Sequence, residues 1–200
     1  MEIARYVLLV LVWLIFAFTH SVFATSAVKR YMSIRFPTFF IYYRLCYSIT
    51  ATIIFVCVAW FNFSFPPDLI WLPPAAEKLA AVLCSITGVA IMVPCMTGYF
   101  YEMSGIDVFF KRPVDGSLKV DGMNRFVRHP LYSGTFLFVA GILLWYPGWA
   151  NLISFVCIVG YTLVGITYEE MKLRNAFGSQ YTEYSKKVPM IIPWKKRRHA

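Results

Sequence analysis

Arg128-His129-Pro130-Leu131-Tyr132 sets a guanidinium, an imidazole and a phenol at the entry to an apolar block, and two adjacent carboxylates, Glu169-Glu170, follow the next block. Such groups can bind an anion, pass a proton and hold a cation. Pro130 suits the first turn of a helix, which leaves Arg128 and His129 presented just before it. Free N–H groups at a helix start favour a carboxylate, and Gly134 lets a ligand or another helix approach closely. His20, Arg44 and Glu102 stand at the ends of other apolar blocks. Ionisable residues at membrane depth are costly, so a set of them at one level is a candidate site. Each also has a plainer use. Glu170 and Arg174 can form a surface i, i+4 pair, His20 can finish the packing of a helix end, and Arg44 and Arg128 can reach lipid headgroups.

The elements that must position these residues are membrane helices. Apolar residues make up 59% of the 200 positions and charged residues 14%, against about 25% charged in a typical soluble domain. The apolar residues also come in blocks near the roughly 20 residues that a bilayer-crossing helix needs. They are Ile3–Phe23, Tyr43–Phe63, Leu79–Phe100, Leu131–Trp145 and Trp149–Thr167. The fourth rises only about 22 Å and needs Phe126 and Val127, or a thinned bilayer, to cross. Ala24 and Ala27 would fit a signal-peptide cleavage site, but the first block is long for one, so it is expected to be a span. The fold class expected is therefore an all-α polytopic membrane protein with about five spans, a C-terminal helical hairpin and a cytosolic cofactor pocket.

Seventeen of the nineteen Lys and Arg residues lie between blocks one and two, between three and four, or after five, including Arg44 at the start of block two; the other side holds only Arg5 and Lys78. The positive-inside rule then places the N-terminus outside and the C-terminus in the cytosol, the odd parity that five spans require. The net charge of +9 flanks helices and forms no basic-aromatic groove. Anionic lipid is thus the expected partner rather than nucleic acid, with Trp194-Lys195-Lys196-Arg197-Arg198 as an interfacial anchor. The five cysteines lie inside the blocks without CxxC pairing or histidine neighbours. They read as packing residues, with no metal expected.

Two parts are expected: 1–100, three helices joined in part by a proline-rich loop at 64–76, and 101–200, the chemical part. Pro94 would kink the third span or widen a cavity there. The stretch 101–130 is long, mixed in charge and dotted with apolar residues, so it is expected to fold back on the membrane face. Tyr146-Pro147-Gly148 is expected to turn spans four and five into a hairpin. Helix should continue from Glu169 to Phe177, be interrupted at Gly178, and end its second piece at Val188-Pro189.

No dinucleotide fingerprint, phosphate-binding loop, zinc-protease motif or nucleophile elbow is present in the sequence. What is present is Asp115-Gly116-Ser117-Leu118-Lys119-Val120-Asp121-Gly122, then Arg128-His129-Pro130-Leu131-Tyr132-Ser133-Gly134. Glu169-Glu170 follows with Leu173, Phe177-Gly178, Tyr181, Tyr184, Val188-Pro189 and Ile192-Pro193. Over about residues 98–193 this resembles the isoprenylcysteine carboxyl methyltransferase superfamily, which includes phospholipid N-methyltransferases and membrane methanethiol S-methyltransferases. The resemblance implies a methyltransferase with S-adenosylmethionine as cofactor. It implies cofactor contacts at Gly116, Ser117, Leu118, Lys119, His129, Pro130, Leu131, Tyr132 and Glu169. The Glu169 carboxylate would pair with the cofactor's ammonium, Leu118 backbone would enclose adenine, and Tyr132 and His129 would lie beside the ribose and sulfonium. Arg128, His129 and Glu170 are the expected catalytic residues, with His20 and Arg44 toward the substrate.

Three positions depart from the prenylcysteine-type pattern. Gly165 stands where an arginine would bind a substrate carboxylate, Asn124 where an aromatic residue is usual, and Phe109 where an amide is expected. His20-Ser21, Lys29-Arg30, Tyr43-Arg44-Leu45 and Val188-Pro189-Met190-Ile191-Ile192-Pro193 look like the methanethiol S-methyltransferase branch. A small or lipophilic substrate is expected: a thiol, a prenylcysteine carboxylate or a lipid headgroup. Methyl transfer by in-line displacement needs alignment and exclusion of water, with a base only where the nucleophile carries a proton. Two other classes fit the same outline: a nicotinamide-dependent (NADPH) membrane reductase, and a non-enzymatic scaffold or transport accessory.

Overall fold

Apolar side chains that point outward dominate this molecule. The computed structural model describes residues 2–66, 68–104 and 117–194, without the side chains of Glu2 and 98–104. Gly116, Phe109, the Glu102 side chain, the part of the 101–130 loop at 105–116, and Lys195 to Arg198 therefore lie outside the described residues. Among the described residues there are seven α-helices. They are α1 (Glu2–Ala24), α2 (Ser26–Arg35), α3 (Pro37–Phe40), α4 (Tyr43–Phe63), α5 (Ala75–Ser104), α6 (Pro130–Trp145) and α7 (Trp149–Lys187), with a short 3₁₀ turn at Gly122–Arg125. Strand character among them is limited to one isolated bridge, Leu69 with Gly148.

The protein is an all-α polytopic membrane protein. Four segments are long and apolar enough to cross a bilayer: Ile3–Ala24, Tyr43–Phe63, Ala75–Thr97 and the one in Trp149–Lys187. Leu8, Leu11, Leu14, Ile15 and Phe18 of α1 face outward, as do Ile49, Ile53, Val56 and Trp60 of α4 and Leu79, Leu83, Ile86 and Val93 of α5. Water would penalise such a surface, whereas lipid tails solvate it. Of the five blocks the sequence offers as spans, the fourth is α6, an apolar helix of 16 residues.

Local chemistry explains the helix ends. The connection between the first two blocks folds into α2 and α3, which hydropathy does not reveal because both are short. Thr25 caps α2 by accepting from the Val28 N–H at 3.3 Å, and Pro37 opens α3. The third block begins four residues earlier than its hydropathy indicates, because the Pro74 carbonyl already accepts from the Lys78 N–H at 3.1 Å. α5 continues through Pro94. Gly178, with φ 51° and ψ −122°, interrupts α7 where the sequence places a break.

The chain divides into two compact units. In the first are α1 to α4, the loop after them and the opening turns of α7 (148–157). Its core includes Leu9, Trp13 and Val58. A buried hydrogen-bond chain joins three helices there. Trp13 Nε1 donates to Ser154 Oγ, Ser154 Oγ to Asn62 Oδ1, and Asn62 Nδ2 to Asn151 Oδ1, each at 2.8 Å. Lipid offers no alternative partner for these groups, so the chain of bonds holds the helices in register.

The second unit contains α5 up to residue 98, α6 and the rest of α7. Here glycines do the joining. A Cβ on Gly88 would come within 2.6 Å of the Gly134 carbonyl, and one on Gly141 within 2.7 Å of the Ala81 carbonyl. The pairing runs 88 with 134 and 81 with 141, so α5 and α6 are antiparallel and their backbones touch. Gly134 therefore serves helix packing. Gly88→Leu is expected to destabilise the protein by about 1–3 kcal/mol through overpacking. Gly160→Ala, where an added Cβ meets nothing within 4 Å, is expected to leave stability unchanged or slightly raised. Thermal unfolding in detergent, followed by circular dichroism, measures both.

Candidate functional site

The second unit brings together residues that the sequence separates by more than fifty positions. His129 is the residue before α6, with Pro130 at the first helical position as expected. His129 Nε2 lies 2.9 Å from Glu170 Oε1, and Arg128 Nε lies 2.9 Å from the same oxygen. The Tyr181 hydroxyl donates to that oxygen at 2.6 Å. Arg128 and Glu170 side chains are each only 8% exposed. Two hydrogen bonds, from His129 and Tyr181, and the Arg128 charge beside the same oxygen offset its desolvation, which an isolated charge could not withstand.

Two backbone features permit this convergence. Residues 170 and 181 would lie about 16 Å apart along a straight helix, too far for their side chains to meet. The positive φ of Gly178 turns the chain so that Tyr181 reaches back to Glu170. An added Cβ at Gly178 meets nothing within 4 Å, so glycine is required there by backbone conformation alone. The segment after α7 then runs beside the entry to α6. Arg128 Nη1 donates to the Ser185 carbonyl at 2.8 Å. The N–H groups of Arg128 and His129 donate to the Pro189 and Met190 carbonyls at 2.9 and 3.0 Å, and Ser133 Oγ donates to the Ile191 carbonyl at 2.6 Å.

Glu170 is thus more than a surface partner of Arg174, the plainer use its spacing offered. Arg174 Nη2 stays 3.8 Å from Glu170 Oε2, and its side chain is 59% exposed. Arg128 likewise is held inside the fold rather than extended to headgroups. The neighbouring Glu169 differs sharply, for its side chain is 44% exposed and its Oε2 lies 3.7 Å from His129 Nδ1. Tyr132 stacks on His129 with ring centroids 5.7 Å apart. One face of this cluster is sealed and the other presents a carboxylate and the half-buried Tyr132 ring, with His129 buried behind them.

Among the other expected cofactor contacts, Pro130 is buried, Leu131, Leu118 and Lys119 are half-buried, and Ser117 is exposed. Asn124, the departure from an aromatic residue, closes the loop between them: its Nδ2 donates to the Lys119 carbonyl at 3.2 Å. Its own carbonyl accepts from the Tyr184 hydroxyl at 2.7 Å. His20 and Arg44 belong to the first unit. The His20 ring nitrogens lie 2.9 and 3.0 Å from the Tyr47 hydroxyl, and Arg44 is exposed. Tyr181 was visible in the sequence only as a motif position. Its partner could not be read there, because that depends on the turn at Gly178.

Known proteins resemble this chain along most of its length. A methanethiol S-methyltransferase of Mycobacterium tuberculosis is 27% identical over 197 residues, covering 92% of this chain and 76% of its own. Another, from Pseudomonas deceptionensis, is 26% identical over 193 residues, covering 92% of this chain and 71% of its own. A protein-S-isoprenylcysteine O-methyltransferase of Schizosaccharomyces pombe is 36% identical over 84 residues, 42% of this chain and 36% of its own. These similarities support a membrane methyltransferase of the superfamily that the motifs resemble. The chain belongs to the NnrU protein family, whose profile matches residues 8–194. No solved structure matches it.

The buried cluster sets a hierarchy among its members. Glu170→Ala is expected to cost about 3–5 kcal/mol by leaving Arg128 buried without its counter-charge. Tyr181→Phe should cost about 1.5–3 kcal/mol, the worth of a hydrogen bond to a charged group. Gly178→Ala should cost about 1–2 kcal/mol of backbone strain. Glu169→Ala should change stability by less than about 0.5 kcal/mol. Unfolding midpoints of the four variants in one detergent test this order.

Proposed function

We propose that this chain is an integral membrane methyltransferase that takes S-adenosylmethionine as methyl donor and a small uncharged or thiol-bearing molecule as acceptor. The observation that carries the proposal is the contrast between the adjacent glutamates. Glu170 is sealed among donors, while Glu169 stands half-exposed beside the His129–Tyr132 ring pair. That is a fitting set for this cofactor, which carries an ammonium for a carboxylate and a sulfonium for aromatic faces. When bound, S-adenosylmethionine supplies an electrophilic methyl group.

The remaining work belongs to the chain. Glu169 would hold the ammonium, and the backbone at 117–119, with Gly116, would enclose the adenine. Pro130, Leu131 and Tyr132 would form the adjoining wall. Glu170 orients the His129 ring through Nε2, leaving Nδ1 toward Glu169 as the edge able to accept a thiol proton. Arg128 fixes the 185–189 carbonyls behind that ring. His20 and Arg44 stand in the first unit, and the assignment does not depend on them.

Gly165 favours an acceptor without a carboxylate. A Cβ there meets nothing within 4 Å, so packing does not demand the glycine. The relatives' substrates, methanethiol and isoprenylcysteine, define the panel to compare. Purified protein is expected to bind S-adenosylhomocysteine by calorimetry, and Glu169→Ala to weaken that binding at least about tenfold, one lost charge pair. With labelled S-adenosylmethionine, thiols should be methylated in preference to prenylcysteines and phospholipids, and Gly165→Arg should shift the preference toward carboxylate-bearing acceptors. Absence of S-adenosylhomocysteine binding at millimolar concentration would exclude the proposal.

The same distribution of Lys and Arg puts this cluster on the cytosolic side, with the 16-residue α6 as a fifth crossing. Single-cysteine labelling in sealed vesicles should modify a cysteine placed at Ser117 only from the cytosolic face, and one placed at Asp68 only from the opposite face.

A further inference from the structure

The first unit holds a cavity of about 270 Å³ that the methyltransferase assignment leaves unused. Its walls are Phe16, Thr19, His20 and Phe23 of α1, and Tyr43, Tyr47, Ala51 and Ile54 of α4, with Met32 of α2 also lining it. On each long helix these positions form one stripe, at i, i+3, i+4 and i+7 or close to it. Phe16 packs against Phe55 and the Tyr43 hydroxyl bonds to the Phe23 carbonyl, so the two stripes run antiparallel. The cavity therefore follows the helix axes for roughly 10–16 Å. Spread over that length, its volume makes a slot longer than it is wide, suited to a chain rather than to a ring system.

Thr19, His20, Tyr43 and Tyr47, four of the six polar side chains lining the slot, are turned toward the protein itself. Thr19 Oγ1 donates to the Ile15 and Phe16 carbonyls at 2.8 and 3.1 Å. Tyr43 donates to the Phe23 carbonyl at 2.7 Å, and Tyr47 and His20 satisfy each other. What remains to meet a ligand is mostly aromatic and aliphatic surface, with Cys46 and Thr50, and apolar cavities bind apolar guests. The end marked by Phe23, Met32 and Tyr43 has a different neighbourhood. Lys29, Arg30 and Arg35 on α2, and Arg44 just after Tyr43, are all exposed, and α2 carries no acidic residue.

We propose that this slot binds one acyl chain of an anionic membrane lipid, with its headgroup phosphate among Lys29, Arg30, Arg35 and Arg44. The hydrocarbon slot recognises the chain and the cations select the charge, each basic residue near the surface adding to the attraction. This site stands apart from the cofactor assignment, and neither depends on the other.

The test uses the full-length protein in phosphatidylcholine vesicles doped with phosphatidylglycerol that bears a photoactivatable diazirine in one acyl chain. Adducts are mapped by mass spectrometry. Adducts are expected on Phe16, Phe23, Cys46 and Ile54 in excess over the outward-facing Leu14 and Trp60. Ala51→Trp, which fills the slot, should cut the slot adducts about tenfold while leaving those on the outer face. Ala51→Leu, a milder filling, should reduce them in proportion. A variant with K29Q, R30Q and R35Q should lose the severalfold preference for phosphatidylglycerol over a phosphatidylcholine probe with the same chain. Equal labelling of slot and outer face, or labelling unmoved by both Ala51 variants, overturns the proposal. So does equal slot labelling by the phosphatidylcholine probe, or displacement of the lipid probe by free fatty acid. S-adenosylhomocysteine binding, measured on the same variants, separates a failure of this site from a failure of the cofactor assignment.

Discussion

The carboxylate of Glu170 is the constraint around which the second unit is arranged. An ionised group with an 8% exposed side chain is tolerable only when donors and counter-charge surround it, and here they arrive from two stretches of chain. Arg128 and His129 come from the entry to α6, and Tyr181 from beyond the break in α7. To satisfy one oxygen, the chain must turn at Gly178 and then lay residues 185–191 beside residues 128–133. The same requirement leaves Glu169, one position earlier, on the more open side of the same histidine. A charge sealed on one side and a charge presented on the other are two consequences of a single helical step of about 100°.

The two units hold their helices together by different means, both dictated by lipid. Water cannot drive apolar surfaces together inside a bilayer, because the tails solvate them equally well. In the first unit the answer is polar, with Trp13, Ser154, Asn62 and Asn151 linked in series. In the second it is steric, with glycine backbones of α5 and α6 in contact so that dispersion forces act at short range. The slot between α1 and α4 is the complement of this economy. Where aromatic rings keep two helices apart, the space between them is left for hydrocarbon.

Adjacent acidic residues in a helix are easily read as interchangeable. Here their surroundings separate them into a structural anchor and a presented carboxylate, and the difference directs where chemistry belongs. A methyl-transfer site needs a rigid frame more than it needs acid or base strength, since alignment supplies much of the rate. In the proposed reading, the Arg128 contacts to the Ser185 and Val188 carbonyls and the Glu170 contact to His129 would be that frame.

Much of this was legible in the sequence. Hydropathy and charge counts marked the apolar helices, Pro130 marked the start of α6, and Gly178 marked the break in α7, because each of those signals is local: a run of apolar residues, a fixed φ, a missing Cβ. The RHPLY and EE motifs marked where the polar cluster would form. Their partners were not legible, because Tyr181 meets Glu170 only after the turn at Gly178, and Gly134 meets Gly88 only after two helices pack. Spacing offered Arg174 to Glu170 as the nearest cation, yet burial gave the place to Arg128, which reaches the same carboxylate from 42 residues away. Sequence determined which residues could carry charge into this membrane protein. The tertiary structure alone decided which charges would be buried, because only packing removes water from one side of a helix and leaves it on the other.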